Sequence, residues 1–189
     1  TLGITEHTCG KNNVMSTSNL QILLGNMGMP SAGVNPLRGQ NNVQGACDMG
    51  ALPNVYPGYQ AVTVPENREK FMKAWGVNNL SDKVGLMIPD MMAALPSKKV
   101  RAFYIFGENL ANSDPNIAHV EHELESAEFL VCNDIFMTET TRFADVIFPA
   151  AAWCEDNGTF TSSERRVNRV RKIKDAPVRQ NPTGGYSRR

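Results

Sequence analysis

VRAFYIF, at residues 100–106, is an apolar run rich in aromatic and β-branched side chains, and it predicts a β-strand. Two further apolar runs follow it, FLVC at residues 129–132 and VIF at residues 146–148. A helix is predicted at about residues 115–126, between the first two runs, and a shorter one at about 138–143, between the last two. The order β-α-β-α-β predicts an α/β fold with a parallel sheet and right-handed crossovers.

Polar residues follow the predicted strands, at the edge of a parallel sheet where ligands commonly bind. The segments at the strand ends are Gly107-Glu108-Asn109, Asn133-Asp134 and Pro149-Ala150, of which the first two are polar and acidic. Neither a GxGxxG nor a GxxxxGK-S/T phosphate-binding sequence is present, but carboxylates and amides suit a guanine edge or ribose hydroxyls. Helix capping is the better explanation of Asn109 or Asp134 taken singly. Their occurrence at adjacent strand ends favours a nucleotide contact.

The segments before the predicted sheet are short helices and a long loop. Residues 16–24 predict a helix with a Ser/Thr cap and an apolar face, ended by nearby glycines. Residues 65–75 predict another helix, in which Phe71 and Trp75 are packing residues one turn apart. Residues 30–60 lack periodicity, and a loop of that length in a compact domain is usually functional or disordered.

Residues 35–50, NPLRGQNNVQGACDMG, contain one arginine among side-chain amides and closely spaced glycines, with little aliphatic bulk. Amides supply hydrogen-bond donors and acceptors, and glycines allow the backbone to approach a ligand closely. Arg38 adds a planar, permanently charged fork that suits a carboxylate or a phosphate. The same composition is typical of an ordinary surface turn, and composition alone favours that explanation.

The bulk composition excludes some classes of protein. The 189 residues suit one domain or one and a half, and the 19 basic residues balance the 19 acidic ones, so net charge indicates no nucleic-acid-binding surface. The 4 cysteines form no CxxC pair, and Cys132 is most simply a small buried hydrophobe. We therefore expect a reducing, cytoplasmic setting. No apolar run approaches the length of a membrane span, and no signal peptide is evident.

Residues 35–50 resemble the active-site arginine loop of molybdenum- or tungsten-dependent formate dehydrogenases, members of the bis-molybdopterin-guanine-dinucleotide oxidoreductase family. The similarity continues through MGALPNVYPGY at residues 49–59 and covers roughly residues 3–173. It includes GEN, NDIFMTET, ADVIFP and GTFT, at residues 107–109, 133–140, 144–149 and 158–161. Several motifs in the same order and spacing are more specific than a single glycine pattern.

The resemblance implies a substrate and a cofactor. In this family two pterin dinucleotides hold one molybdenum or tungsten, which accepts two electrons from formate, giving carbon dioxide and a proton. An iron–sulfur cluster then removes the electrons. Arg38 matches the catalytic arginine that orients the formate carboxylate, and Gln40 matches a glutamine that contacts a pterin. No residue of this chain matches a metal ligand.

The resemblance also implies further cofactor-binding residues: Asn109, Ser113, Asn133, Asp134, Thr138 and Asp145. Asn109 stands where close relatives have Asp, and Ser113 stands where they have Thr. Both replacements keep the ability to hydrogen-bond. Asn133 occupies a position where Gln is common, whereas the remaining three residues follow the family pattern.

Other parts of the family's catalytic subunit have no counterpart in this sequence. These are the metal-ligating cysteine or selenocysteine followed by histidine, the amino-terminal iron–sulfur cysteines and the carboxy-terminal domain that caps the cofactor. No cysteine precedes a histidine, and we predict that His7 is a structural or domain-edge residue. We therefore expect an internal part of a catalytic subunit, inactive by itself.

The predicted organisation has two domains and a tail. We predict that residues 1–40 form the edge of one α/β domain carrying the arginine loop, and residues 41–173 a second, dinucleotide-binding-like α/β domain. Residues 174–189 are predicted to be a loose tail. The expected partners are formate, the remainder of the subunit and an iron–sulfur electron-transfer protein, with neither nucleic acid nor membrane.

Two alternatives to a formate dehydrogenase stay open. The chain is alternatively a non-catalytic module that binds molybdopterin or a guanine nucleotide. It is otherwise the same part of another molybdopterin oxidoreductase, such as a nitrate reductase, although the similarity over residues 43–59 argues against that substrate.

Overall fold

The computed structural model describes residues 2–176, which form two compact units. The first unit comprises residues 2–51, 57–59 and 159–168. The second unit comprises residues 52–56, 60–158 and 169–176. The prediction that a domain boundary lies at residue 40 stays a prediction.

The described part of the chain begins with helices and continues with a mixture of helices and strands. The chain begins with α1 (Leu2–Thr5), α2 (Gly10–Leu23) and α3 (Val43–Asp48). It continues with β1 (Val55–Tyr56), β2 (Gln60–Ala61), α4 (Pro65–Trp75), α5 (Ile88–Ala93), β3 (Ala102–Phe106), α6 (Leu110–Ser113), α7 (Ile117–Glu125) and β4 (Phe129–Asp134). After them come a 3₁₀ turn (Thr140–Phe143), β5 (Val146–Pro149), a 3₁₀ turn (Trp153–Glu155), β6 (Gly158–Thr161) and β7 (Val167–Val170).

A parallel sheet in the order β3-β4-β5 lies in the second unit. On the central strand, Cys132 lies opposite Ile105 on one side and opposite Ile147 on the other. The sheet packs with α5 and α7 around an apolar core, whose most buried members are Met92, Leu95, Leu124, Leu130 and Cys132, each at most 2% exposed. Burying one such aliphatic side chain contributes about 1.5–3 kcal/mol. The predicted α/β fold with a parallel sheet is confirmed.

A smaller apolar cluster in the second unit joins β1 to α4. Its buried members are Tyr56, Val62 and Phe71. The Phe71 ring centroid lies 4.7 Å from that of Tyr56 and 5.0 Å from that of Trp75. The prediction that these aromatic residues pack within a helix at residues 65–75 is confirmed.

The predicted start of the amino-terminal helix is wrong. The helix begins at Gly10 rather than near residue 16, so the serine and threonine predicted to cap it lie inside it. The Thr17 hydroxyl donates to the Asn13 carbonyl, and the Ser18 hydroxyl donates to the Val14 carbonyl, both at 3.0 Å. These side chains satisfy their hydrogen bonds against the preceding turn, a common arrangement for Ser and Thr in a helix interior.

Other boundaries also differ from prediction. The loop predicted at residues 30–60 contains α3 and β1 and ends where β2 begins. Helix α5 is absent from the prediction because a run of 6 residues shows too little periodicity. The second predicted strand runs on through Asn133 and Asp134, so these residues end β4 rather than follow it. Backbone pairing with β5 extends to Asp134, opposite Pro149.

No helix within residues 2–176 is long and apolar enough to cross a membrane. The predicted loose tail lies outside the described residues from residue 177 onward. Cys132 is 2% exposed, and burial together with the nearby Asp134 carboxylate raises the pKa of its thiol. The prediction that Cys132 is a small buried hydrophobe is confirmed.

Candidate functional site

Arg38 lies in an irregular segment of the first unit, before α3, and its side chain is exposed. Its guanidinium Nη1 donates a hydrogen bond to the Cys47 sulfur, 3.6 Å away. Within the described residues this is the only hydrogen bond of the Arg38 side chain, and no carboxylate pairs with it. Because a guanidinium has five N–H donors, Arg38 keeps most of its capacity to bind an anion.

Cys47, the hydrogen-bond partner of Arg38, lies on helix α3, and the buried amide of Gln44 anchors this helix. Gln44 is 6% exposed, and its Nε2 donates to Asp48 Oδ1 at 2.8 Å and to the Tyr59 hydroxyl at 3.2 Å. The Arg165 guanidinium lies over the Tyr59 ring, 5.4 Å from its centroid, and 4.0 Å from the Asp48 carboxylate. These contacts anchor one face of a helix that is too short to be stable by itself.

The start of α3 is fixed by a second contact. Asn42 Oδ1 accepts a hydrogen bond from the Thr161 backbone N–H at 3.0 Å. A Cβ atom on Gly45 would lie 2.1 Å from that same oxygen, far inside van der Waals contact. A side chain at position 45 would therefore displace the Asn42 side chain from its hydrogen bond with Thr161.

Gln40 lies in the same irregular segment as Arg38 and is exposed. The structure describes no side-chain hydrogen bond for it. The resemblance assigns Arg38 to the substrate and Gln40 to the pterin. These two residues lie close together in the chain, and both have hydrogen-bonding groups that no described protein group engages.

Asn133, at the end of β4 in the second unit, carries an unsatisfied polar atom. The residue is 1% exposed, and its Nδ2 donates to the Phe148 carbonyl at 3.3 Å. Its Oδ1 is the one buried side-chain oxygen or nitrogen in the described residues that has no hydrogen-bond partner. Such an atom costs stability unless a further donor is supplied.

Asn109 joins two loops beside the sheet. Its Oδ1 accepts from the Thr140 backbone N–H at 3.2 Å and from the Thr140 hydroxyl at 2.8 Å. Its Nδ2 donates to the Glu139 carboxylate at 2.8 Å, and this bond is the main reason that the pKa of Glu139 lies below its ordinary value. Asn109 does not cap α6 with its side chain, so the capping explanation fails for this residue.

The other predicted cofactor residues make hydrogen bonds to neighbouring protein groups. Asp134 Oδ1 accepts from the backbone N–H groups of the next two residues, at 2.7 and 3.3 Å, which is a turn-capping arrangement. Asp145 Oδ2 accepts from the Leu130 N–H at 2.7 Å. Ser113 donates to Glu108 at 2.9 Å, and the Thr138 carbonyl accepts from Thr141 at 2.7 Å.

Sequence reasoning missed several residues that organise these regions. They are Gln44, Cys47, Asp48, Tyr59, Glu139, Thr140 and Arg165. The spacing of Gln44 and Asp48, four residues apart, is a helical signal that would have pointed to α3. No comparable signal exists for Tyr59 or Arg165, which are distant in sequence from α3. Within residues 2–176 no group of three or more His, Cys, Asp or Glu side chains is placed to hold a metal ion.

Comparison with known proteins places the chain in a family. The model of the molybdopterin oxidoreductase family matches residues 1–182. The chain is 54% identical, over 93% of its length, to the F420-dependent formate dehydrogenase 1 subunit alpha of Methanococcus maripaludis. It is 48% identical, over 90% of its length, to formate dehydrogenase H of Escherichia coli.

The chain spans about a quarter of the length of these relatives, 26% of the first and 24% of the second. Among solved structures, acetylene hydratase from Pelobacter acetylenicus matches 62% of this chain and 17% of that chain, with a TM-score of 0.48 and 21% identity. The family match extends over nearly the whole sequence, so the chain belongs to the molybdopterin oxidoreductase family, whose cofactor is a molybdopterin carrying molybdenum or tungsten.

Proposed function

We propose that the chain is part of the catalytic subunit of a formate dehydrogenase, which oxidises formate to carbon dioxide with a bis-molybdopterin-guanine-dinucleotide cofactor. The observation that carries the proposal is the 54% identity, over 93% of the chain, to a formate dehydrogenase alpha subunit. The proposed contribution of this chain is the substrate-binding arginine, Arg38, and part of the cofactor-binding surface.

The geometry of Arg38 supports a role in binding formate. Its guanidinium is exposed and makes a single described hydrogen bond, to the Cys47 sulfur. Formate is a small planar anion whose two oxygens match two parallel N–H donors of a guanidinium. Because no carboxylate of the described residues pairs with it, Arg38 is available for that bidentate contact.

The chemistry of the strand ends fits a guanine-bearing cofactor. Asn133 Oδ1 is a buried acceptor without a donor, and a guanine ring N–H or amino group would supply one. Gly107, just beyond β3, has φ +64° and open space where a Cβ would stand, so its backbone is accessible to a bound group. Gln40, Asn109, Ser113, Asp134, Thr138 and Asp145 remain proposed cofactor residues on the strength of the resemblance.

The reaction removes two electrons and one proton from formate, so that HCOO⁻ gives CO₂, H⁺ and 2e⁻. The bound metal–pterin group supplies the two-electron acceptor that this oxidation requires. Arg38 binds the two carboxylate oxygens and so fixes the direction of the C–H bond that breaks. The product is uncharged, so the guanidinium attracts it far less than formate, which favours release.

The proposal extends to the parts of the enzyme that this chain does not supply. We propose residues 1–40 and 41–173 as segments of two family domains, and an iron–sulfur protein as the electron-transfer partner. The remainder of the subunit would provide the sulfur or selenium ligand of the metal.

The test uses the complete catalytic subunit that contains this chain, with Arg38→Ala and Arg38→Lys. Removing one partner of a charge pair costs about 2–5 kcal/mol, so Arg38→Ala should lower kcat/KM for formate at least roughly thirtyfold. Arg38→Lys should restore part of it, since a lysine keeps the charge but not the fork. Molybdenum or tungsten content and pterin content should stay unchanged.

Arg101→Ala is the matched control, because Arg101 is exposed and pairs with Glu128 far along the chain from the arginine loop. It should leave formate kinetics unchanged. Unaltered turnover in Arg38→Ala would remove Arg38 from the site. A wild-type subunit that contains the cofactor but reduces no dye with formate would support the alternative, a non-catalytic molybdopterin- or guanine-nucleotide-binding module or another oxidoreductase.

A further inference from the structure

The Arg38 side chain depends on one contact for its direction. Its Nη1 donates to the Cys47 sulfur at 3.6 Å, across nine residues of sequence, and no other described atom receives a hydrogen bond from it. An arginine side chain is long and has many rotamers, so it needs contacts to hold one orientation. With a single anchor, the orientation of the guanidinium therefore rests on where Cys47 stands.

Cys47 is itself held firmly. It is 9% exposed and lies on α3, between Gln44 and Asp48, which hydrogen-bond to each other at 2.8 Å. Gln44 also donates to Tyr59, and the backbone of Thr161 donates to Asn42 at the start of the helix. The sulfur is thus a fixed point, whereas Arg38 lies in a segment without helix or strand.

The chemical nature of the anchor matters as much as its position. Sulfur is a weak acceptor, so it engages one N–H without competing for the rest of the fork. A carboxylate at the same place would form a charge-assisted, often bidentate pair and occupy the donors that an anionic substrate needs. A cysteine orients the guanidinium and leaves its positive charge uncompensated.

We propose that Cys47 is a positioning residue for Arg38, which holds the guanidinium in place for an anionic substrate through the Nη1–H···Sγ contact without neutralising it. The inference rests on the proposed function of Arg38 in formate binding. It assigns no chemistry to Cys47 itself, which does not touch the substrate.

The experiment compares Cys47→Ala, Cys47→Ser and Cys47→Asp in the complete cofactor-loaded subunit. Losing one weak hydrogen bond should raise the KM for formate about threefold to tenfold in Cys47→Ala, with a smaller change in kcat. Cys47→Ser should lie between Cys47→Ala and wild type, since a hydroxyl is an acceptor on a shorter bond. Cys47→Asp should lower kcat/KM further, roughly hundredfold, because it pairs with the guanidinium.

A second readout does not depend on the substrate. Phenylglyoxal modifies exposed arginines, and peptide mass mapping gives the rate at Arg38 separately from other arginines. We expect the rate at Arg38 to rise in Cys47→Ala, where the anchor is lost, and to fall in Cys47→Asp. Cys154→Ala is the matched control for removing a sulfur, and it should change neither the formate KM nor the rate at Arg38, because Cys154 lies in the other unit.

The outcomes separate this inference from the proposed function. If wild type oxidises formate and Cys47→Ala matches it in both KM and Arg38 modification rate, Cys47 does not position Arg38. If wild type oxidises no formate but the modification rate at Arg38 still responds to Cys47 substitution, the contact is supported while the formate dehydrogenase proposal fails. A fall in kcat alone, equal in Cys154→Ala, would also overturn the inference, since it would indicate general loss of packing.

Discussion

The proposed site residues in the arginine loop of the first unit differ from those at the strand ends of the second unit in how far protein groups satisfy their hydrogen bonds. At the strand ends, Asn109 and Asp134 are each engaged in hydrogen bonds with neighbouring protein groups, and so is Asp145, which precedes β5. In the arginine loop, Arg38 makes one weak hydrogen bond and Gln40 makes none among the described residues.

The difference separates polar residues that build the fold from polar residues that are left for a ligand. A side chain whose donors and acceptors are already satisfied contributes mainly to structure, although it can still receive a further contact. Arg38, and Asn133 at the strand ends, keep unused capacity in positions where the protein does not supply a partner. Unused hydrogen-bonding capacity is a better guide to a site than polarity alone.

The largest expected effect tests whether apolar packing stabilises the sheet of the second unit more than it stabilises helix α2 of the first unit. Leu130, in β4, is 1% exposed within the core, whereas Leu23, at the end of α2, is 83% exposed. In the 189-residue chain, Leu130→Ala should lower the free energy of unfolding by about 2–5 kcal/mol. Leu23→Ala should change it by no more than about 0.5 kcal/mol.

Urea denaturation followed by circular dichroism measures both variants. Equal destabilisation by the two substitutions would mean that α2 is as well packed as the sheet, and the contrast between the units would disappear.

The next effect tests the close approach of Gly45 to Asn42 in the arginine loop. A Cβ on Gly45 would stand 2.1 Å from Asn42 Oδ1, whereas one on Gly39 would meet no atom within 4 Å. Gly45→Ala should therefore displace the Asn42 side chain from Thr161 and cost about 1–3 kcal/mol. Gly39→Ala is the control, and thermal unfolding of the two variants should differ by several degrees; identical melting temperatures would contradict the close approach.

A third effect tests the hydrogen bonds beside the sheet. The Thr140 hydroxyl, on a fully buried residue, accepts from the Ala111 N–H at 3.0 Å and donates to Asn109 Oδ1 at 2.8 Å. Thr140→Val keeps the shape, leaves the Ala111 N–H without its acceptor, and should cost about 1–3 kcal/mol. Thr63→Val, at an exposed position, is the comparison; a similar small change in both by urea denaturation would show that the buried hydroxyl is dispensable.

The smallest effect concerns pH. The hydrogen bond from Asn109 is the main cause that lowers the pKa of Glu139, with smaller contributions from a backbone hydrogen bond and from the charge of Arg142. Because the folded pKa is depressed, the stabilisation is present above the unfolded pKa of about 4.3 and is lost as pH falls through the folded value.

Carbon-13 NMR of the Glu139 carboxyl should therefore give a pKa below the ordinary glutamate value in wild type, and one closer to that value in Asn109→Ala. A wild-type titration at the ordinary value would mean that the contact between Asn109 and Glu139 does not persist in solution.

The elements predicted correctly are those whose signal is local and repeated. Runs of apolar, aromatic and β-branched residues mark β3 and β4, and two aromatic residues one turn apart mark α4. The helices predicted between the strands indicate the parallel order. The helix α3 was missed because Gly45 and the amides around it disfavour a helix locally. It forms because Gln44, Asn42 and Asp48 find partners at Tyr59, Thr161 and Arg165, far away in sequence.

The residue types suited to the chemistry are evident in the amino-acid sequence itself. A guanidinium among amides and glycines is suited to a carboxylate whatever its surroundings, and motif order over most of the chain indicates the family. The chain sequence thus determines the apolar runs of the sheet, the absence of nucleotide phosphate loops and the identity of the candidate arginine.

Tertiary structure alone decides which polar groups remain available. Distances between residues that are separated in the chain decide three points. They decide whether Arg38 is paired, whether Asn133 finds a donor for its Oδ1, and whether Asn109 caps a helix or joins two loops. Hydrogen bonds and charge pairs act over a few ångströms, and no local pattern encodes those separations. The sulfur that holds Arg38 is the clearest case, because only the folding of α3 brings Cys47 within reach of the guanidinium.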